Sequence, residues 1–402
     1  MKLINKIAIV LIAIALVLGS TVFYQYTQIT AKNPNIDVFS FNDQPVEYKD
    51  ATIKYNLLGF IPFDRKFHQD EIIRYETDQV LNELTVNTHT QILVTAPDQS
   101  TQSYTGSQAL AFEADGEYKI SLDETTDNGS LIHYEFFVDV QNLPNIIISN
   151  LSPLQGEVLI IEFTNLKLNS TIVIDSQFSP SAISQVNHEA RLYLPMEYKA
   201  SAKQYPLDIT INGKKYAYVL NVQAYNFKKE YFNIDQDILD ATTGNPAAAN
   251  EFKAAIYPLY ETFEPVEYWT GNFTLPVLNA EVSSGFGDQR YINGSTTPSR
   301  HSGIDYAIDC GTDVYASNAG KIDFAKLLII TGNTVVIDHG LGLKTYYEHM
   351  TDLTVSQGDM VEKGQLIGHV GTTGVSTGCH LHFQAMIKNQ MINPAFLFEL
   401  IK

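Results

Sequence analysis

Cysteine is nearly absent: the 402 residues hold only Cys310 and Cys379. That shortage excludes a disulfide-rich scaffold and any zinc site built from four thiolates, so metal binding must draw on His, Asp or Glu. Basic residues are also few, 26 Lys and Arg against 45 Asp and Glu, for a formal charge of -19. Nucleic-acid affinity rests largely on clustered cations that displace counterions from phosphates, and no such cluster occurs. DNA and RNA are therefore excluded as partners. Charged residues make up 18% of the chain against 45% hydrophobic, and no long low-complexity tract interrupts it. This is the balance of folded domains rather than disorder, and a chain of this length holds about two to four of them.

Long apolar runs are missing too, with one exception at the start, "MKLINKIAIVLIAIALVLGSTVFYQY". Residues 7–24 are long enough to cross a bilayer core as a helix rising ~1.5 Å per residue. Lys2 and Lys6 stand on the near side, which keeps residues 1–6 in the cytoplasm and exports the rest. A cleaved signal peptide is the alternative. Leu18-Gly19-Ser20 is only a weak small-residue cleavage site, and no cysteine follows that would accept a lipid. The expectation is an uncleaved signal anchor, a single-pass cell-membrane protein whose body is extracytoplasmic.

From residue 35 to 231 apolar and polar residues alternate as in half-buried strands. In "EYKISLDE" Tyr118, Ile120 and Leu122 share a face; in "IHYEFFVDV" Ile132, Tyr134, Phe136, Val138 and Val140 do so. A second set follows the junction at Leu143-Pro144, with "GEVLIIEF" and "LDITINGKKYAYVLNV", where Asn212-Gly213 supplies the positive φ angles of a tight hairpin. The pattern predicts two β-sandwich modules of immunoglobulin-like type, at 35–145 and 146–231. Residues 232–268 break the alternation and are expected to be a linker. Asn245-Pro246 starts a short helix there, with Ala249, Phe252 and Ile256 at helical spacing and Pro258 at its end. A last domain is placed at 269–402, opening at Trp269, the only tryptophan.

Six of the ten histidines lie beyond residue 300. In "GCHLHF", His380 and His382 are two apart on a strand-like run and point to one face, while Leu381 and Phe383 turn to the core. His301 and Asp305, four apart in "RHSGIDYAIDCGTDVYA", also share a face, and "LKTYYEHMTDL" delivers His349. A catalytic zinc site keeps three protein ligands and leaves a vertex for water. His301, Asp305 and one member of the His380/His382 pair make such a set, leaving two imidazoles beside the metal to move protons. Each piece alone is weak, since His-x-His and His-x-x-x-Asp occur freely by chance. His339 and His369 read as turn or packing residues. "GTTGVSTG" lacks the Gly-Lys-Ser/Thr ending of a phosphate loop and is expected to shape a groove wall.

Five ordered blocks, "SSGFGDQR", "HSGIDYAIDCGTDVYASNAGKI", "GNTVVIDHGLGLKTYYEHM", "VEKGQLIGHVGTTGVSTGCHLHF" and "NPAFLF", resemble the lysostaphin-type zinc metallopeptidases, the bacterial cell-wall endopeptidases. The resemblance covers about the last third of the chain. It implies a mostly antiparallel β domain with a groove over one Zn2+, His301, Asp305 and His382 as ligands, and His349 and His380 as the catalytic pair. Met350 stands where that family usually has Leu, a volume-conserving exchange. Cys379 replaces the small or cyclic residue usual before His-Leu-His. If Asp305 and His382 share a metal on antiparallel strands, Cys310 and Cys379 come close enough for a disulfide; two reduced thiols are the alternative.

The overall expectation is a mostly β, membrane-anchored zinc endopeptidase that cleaves peptide bonds in peptidoglycan stems or cross-bridges, with the sandwich modules as spacers. Peptidoglycan and the membrane are its expected partners, and envelope proteins are candidates. The rival is a silent or latent envelope scaffold that activates another cell-wall hydrolase. Such a protein is expected to lack one or more of the five site residues, all of which are present.

Overall fold

The computed structural model describes residues 2–31, 36 and 39–399, so the expected module start at Asn35 and the chain end at Lys402 lie outside it. Lys2–Ala31 is one helix. Its stretch Ile7–Ile29 is apolar and long enough to cross a bilayer, and none of it is buried by the rest of the chain. The helix passes the expected end at Tyr24 because no Gly or Pro interrupts residues 25–31.

The chain divides into two compact units, Met1–Leu143 with Asn165–Leu168, and Pro144–Thr164 with Asn169–Lys402. In the first, the four-stranded sheet that includes Phe39–Phe41 and Leu81–Thr85 faces a seven-stranded sheet centred on Gly116–Thr125 and Leu131–Val140. Period-two alternation does the work: Tyr118, Ile120, Leu122, Tyr134, Phe136 and Val138 all enter one core with Phe39, Phe41 and Phe112. The second unit opens with a pair of sheets of four and three strands. Its Gln204–Ile211 and Lys214–Asn221 strands are joined at Asn212 (φ 48°) and Gly213 (φ 84°), a turn whose twist matches its strands.

Residues 232–268, expected as a linker with a short helix, are built into the C-terminal fold. Lys229–Phe232 pairs parallel with Gln289–Ile292. Pro246–Ile256 is a helix capped by Asn245, whose side chain accepts the Ala247 N–H, and Pro258 turns it into a 3-10 segment at Tyr257–Tyr260. Ile256, with Phe252 and Tyr260, covers Tyr346, Met386, Phe324 and Val336 on one face of the largest sheet.

That sheet has eight strands. Glu281–Ser284, Ile304–Ala307, His380–Ile387, Leu343–Met350, Gly332–Gly340, Gly320–Leu328 and Met360–Val361 follow in order, and Gln390–Ile392 pairs with the third. Its other face carries the main core, where Tyr347, Leu381, Phe383 and Ile337 are fully buried. This core is shared with the preceding sandwich, since Val158 and Tyr193 belong to it and Tyr193 packs on Trp269.

Candidate active site

Two central strands and one connection position the expected ligands. Ile304–Ala307 runs antiparallel to His380–Ile387 in a register that sets Asp305 opposite His382. Directly opposed residues share a face, so both side chains leave the sheet together. His301 enters from the turn before Asp305. Gly303 allows that turn, because a Cβ there would lie 2.3 Å from the Phe383 carbonyl oxygen and 3.0 Å from the His382 ring.

The three donor atoms converge. His301 Nε2 is 3.0 Å from Asp305 Oδ1 and 3.0 Å from His382 Nδ1, and His382 Nδ1 is 2.8 Å from Asp305 Oδ1. All three residues are buried. His301 Nδ1 lies 2.8 Å from the Gly285 carbonyl, which holds the proton there and leaves Nε2 as a lone pair. That lone pair faces a carboxylate oxygen and a second imidazole nitrogen. So close a meeting of acceptors is favourable only around a proton or a cation. The spacing is near the ~3.3 Å expected between tetrahedral ligands ~2.0 Å from a zinc ion. A His-Asp-His donor set with imidazole and carboxylate oxygen fits Zn2+, and among the described residues no other group of three converges in this way.

Burial and mutual contact set the charges. Burial pushes the His301 imidazole down to about 4. Burial would raise the Asp305 carboxyl, but its contacts with the ring nitrogens of His301 and His382 hold it far below the usual carboxylate range. For His382 burial works downward, and the bond to Asp305 overcomes it, so its affinity for a proton rises. The Arg290 guanidinium grips the outer oxygen of Asp305 and donates to Ser284 Oγ at 2.8 Å, with Glu230 Oε2 3.6 Å from its Nε.

His349 ends the Leu343–Met350 strand with φ 64°, a left-handed backbone that costs a bulky residue free energy and recurs at functional positions. Its Nδ1 donates to the Thr373 carbonyl at 2.8 Å, and its ring lies 4.8 Å from that of His380 and 6.1 Å from that of His382. Burial, reinforced by the neighbouring imidazoles, pushes His349 down to about 3 and keeps it neutral. His380 donates from Nδ1 to the Gly378 carbonyl at 2.8 Å, and its Nε2 is 4.0 Å from Asp305 Oδ1. Cys310 and Cys379, flanking the ligand strands, form a disulfide with Cα atoms 5.1 Å apart.

All five expected site residues line one cavity of ≈450 Å³, whose rim includes Val375, Ser376 and Thr377 of the glycine-threonine loop. His339 and His369 lie elsewhere. His339 is wholly buried between the Ala319 carbonyl and Thr345 Oγ1, each at 2.8 Å, and His369 pairs with Asp352. Sequence reasoning missed Arg290, Glu230 and Glu348. Arg290 stands in a quoted block and Glu348 beside His349, yet nothing local marks either as facing the site. Glu348 lines the cavity and is buried, and that burial pushes its carboxyl up to about 7.

Comparison with known proteins finds similarity in the segment that holds these residues. Residues 299–394 match the model of peptidase family M23. The DD-carboxypeptidase/endopeptidase Mpg of Neisseria meningitidis is 42% identical over 31% of this chain and 29% of its own length. The peptidoglycan DD-endopeptidase ShyB of Vibrio cholerae is 35% identical over 28% of this chain and 26% of its own. The chain thus spans less than a third of the length of these relatives. The catalytic domain of lysostaphin from Staphylococcus simulans is 33% identical, covering 29% of this chain and 90% of that one, with a TM-score of 0.27. The C-terminal part of this chain is a lysostaphin-type domain of peptidase family M23.

Proposed function

We propose that residues 269–402 are a zinc metalloendopeptidase that hydrolyses peptide bonds of peptidoglycan stem peptides or cross-bridges. The observation that carries this reading is the meeting of His301 Nε2, Asp305 Oδ1 and His382 Nδ1 within 3.0 Å of one another, at the floor of an open cavity with two further imidazoles. His301, Asp305 and His382 would hold the ion. When bound, Zn2+ supplies a Lewis acid for the scissile carbonyl and lowers the pKa of a water from 15.7 to about 7.

The remaining steps belong to the chain. His349, neutral and with Nδ1 committed to Thr373, turns Nε2 to the cavity as an acceptor that orients the attacking water. His380, when it carries protons on both nitrogens, donates from Nε2 to the developing oxyanion and passes a proton to the leaving amine. Arg290 and Gly285 fix the orientations of Asp305 and His301. The names of the relatives, DD-endopeptidase and DD-carboxypeptidase, favour a bond between D-configured centres.

The apolar helix at residues 7–24, extending to Ala31, would hold the enzyme on the outer face of the cell membrane. The two sandwich modules, of immunoglobulin-like type at 35–145 and 146–231, would then carry the active site toward the wall. The test is incubation of the full-length, detergent-solubilised protein with purified sacculi, with and without a chelator. The expected result is chelator-sensitive release of fragments whose masses identify one cleaved peptide bond. Intact sacculi in the zinc-loaded reaction would overturn the reading.

A further inference from the structure

We propose that the cavity beside the ligand triad contains an ammonium subsite, formed by Glu348 beneath the Tyr257/Tyr260 wall, that takes the side-chain amine of a diamino-acid residue in the substrate peptide. It rests on the peptidase reading above and names the substrate chemistry of that site.

The sheet register determines where Glu348 points. Tyr346 opposes Gln384 and Glu348 opposes His382, while Tyr347 opposes Phe383. Tyr347 and Phe383 fill the main core, so Glu348 and Gln384 leave the sheet on the opposite side, with His382, into the cavity. Glu348 is only 8% exposed and Gln384 7%, and neither makes a side-chain hydrogen bond or ion pair among the described residues. Tyr346 Oη, on the same face, is also buried without a hydrogen-bond partner. A buried carboxylate is costly unless something of opposite charge meets it.

Among the described residues no lysine or arginine pairs with it, and the His382 imidazole, opposite it in the register, is committed to Asp305 at 2.8 Å. Both arginines lining the cavity are engaged elsewhere: Arg290 with Asp305, and Arg300 with the Gly287 carbonyl at 2.9 Å and the Phe227 ring. Nor does Glu348 belong to the group of converging donors, which comprises His301, Asp305 and His382. The opposite wall is aromatic. Tyr257 and Tyr260 stack with centroids 5.4 Å apart, and Phe252 and Met391 continue the apolar lining. A carboxylate and aromatic rings lining one cavity, with Tyr260 close enough to feel the Glu348 charge, are the complement of an ammonium group, which gains an ion pair from one and cation–π attraction from the other. The apolar lining suits the aliphatic arm that brings such a group in. A neutral amide in the same place satisfies a hydrogen bond but leaves the charge unmet.

The experiment separates binding from turnover. The full-length, metal-stripped protein in detergent is titrated calorimetrically with two synthetic peptides that differ only in a free or acetylated lysine ε-amine. The wild type is expected to bind the free amine at least about tenfold more tightly, and Glu348→Gln to reduce that ratio below about threefold. Tyr257→Ala, at a half-exposed position, is expected to lower it by a few-fold and serves if Glu348→Gln does not fold. Equal binding of the two peptides by the wild type overturns the subsite, as does a ratio that survives in Glu348→Gln. Loss of bound zinc in Glu348→Gln would assign the carboxylate to the metal set and also overturn it. If the binding preference holds but the zinc-loaded protein cleaves neither peptide nor sacculi, the subsite stands and the peptidase reading alone fails.

Discussion

The first β unit and the C-terminal sheet use the same residue types in opposite ways. In the first, His68 sits in solvent against Asp50 at 2.6 Å and His133 meets Asp123 at 2.7 Å, and among its described residues no histidine and only one carboxylate, Glu124, which accepts from Asn87, is buried. The hydrogen bond to Asp50 raises the His68 pKa against a smaller downward effect of desolvation. In the C-terminal sheet His301, Asp305, His339, Glu348, His349 and His382 are all buried. Burial lowers His301, His339 and His349 and raises Glu348, each shift being free energy set against the fold. A strand-rich fold needs no cluster of buried histidines and carboxylates for stability, as the first unit demonstrates. Buried polar groups around one cavity therefore mark where stability has been exchanged for chemistry.

Five measurements break or sharpen that contrast. The largest effect is expected from His382→Ala, which removes a donor: zinc content by atomic absorption should fall, and cleavage should drop by more than ~10³-fold. Arg290→Ala, which releases Asp305 and Ser284, should lower the cleavage rate by the ~10–100-fold typical of a group that orients a ligand. Next comes the disulfide, which joins positions 69 apart in sequence. Its reduction should lower the stability of the C-terminal unit by about 4 kcal/mol in the chain-entropy model, read from denaturant melts with and without reductant.

The fourth concerns His339, whose pKa falls from 6.5 to about 4 on complete burial. The folded value lies below the unfolded one, so the unfolded chain binds more protons between these limits, and stability drops as pH falls through that window. Metal-free wild type should lose on the order of 3 kcal/mol more than His339→Gln between pH 7 and pH 4, measured by paired denaturant titrations. The smallest effect is expected at the surface. His68→Ala should leave the denaturant midpoint and the cleavage rate indistinguishable from wild type. A large loss there would erase the distinction between the two regions.

Much of this was legible along the chain. Alternation in residues 132–140 reports one buried face, and every expected core position there is buried. Asn212-Gly213 and Asn245-Pro246 act within a few residues, as a hairpin turn and a helix cap, and both occur as read. The shared face of His380 and His382 follows from strand geometry alone. The ligand set needed more than spacing, since either histidine of that pair satisfied it; the ordered family blocks pointed to His382.

Local sequence determined which segments are strands, where they turn and which imidazoles share a face, because backbone propensity and side-chain alternation act over a few residues. Only the tertiary structure decided that Lys229–Phe232 lies along Gln289–Ile292, bringing Glu230 to Arg290, and that the 246–260 segment roofs the cavity. It alone left Glu348 without a side-chain hydrogen bond or a lysine or arginine partner among the described residues. Pairing across some sixty residues, and the absence of a counter-charge around a buried carboxylate, depend on what every other segment does and leave no signal in any one of them.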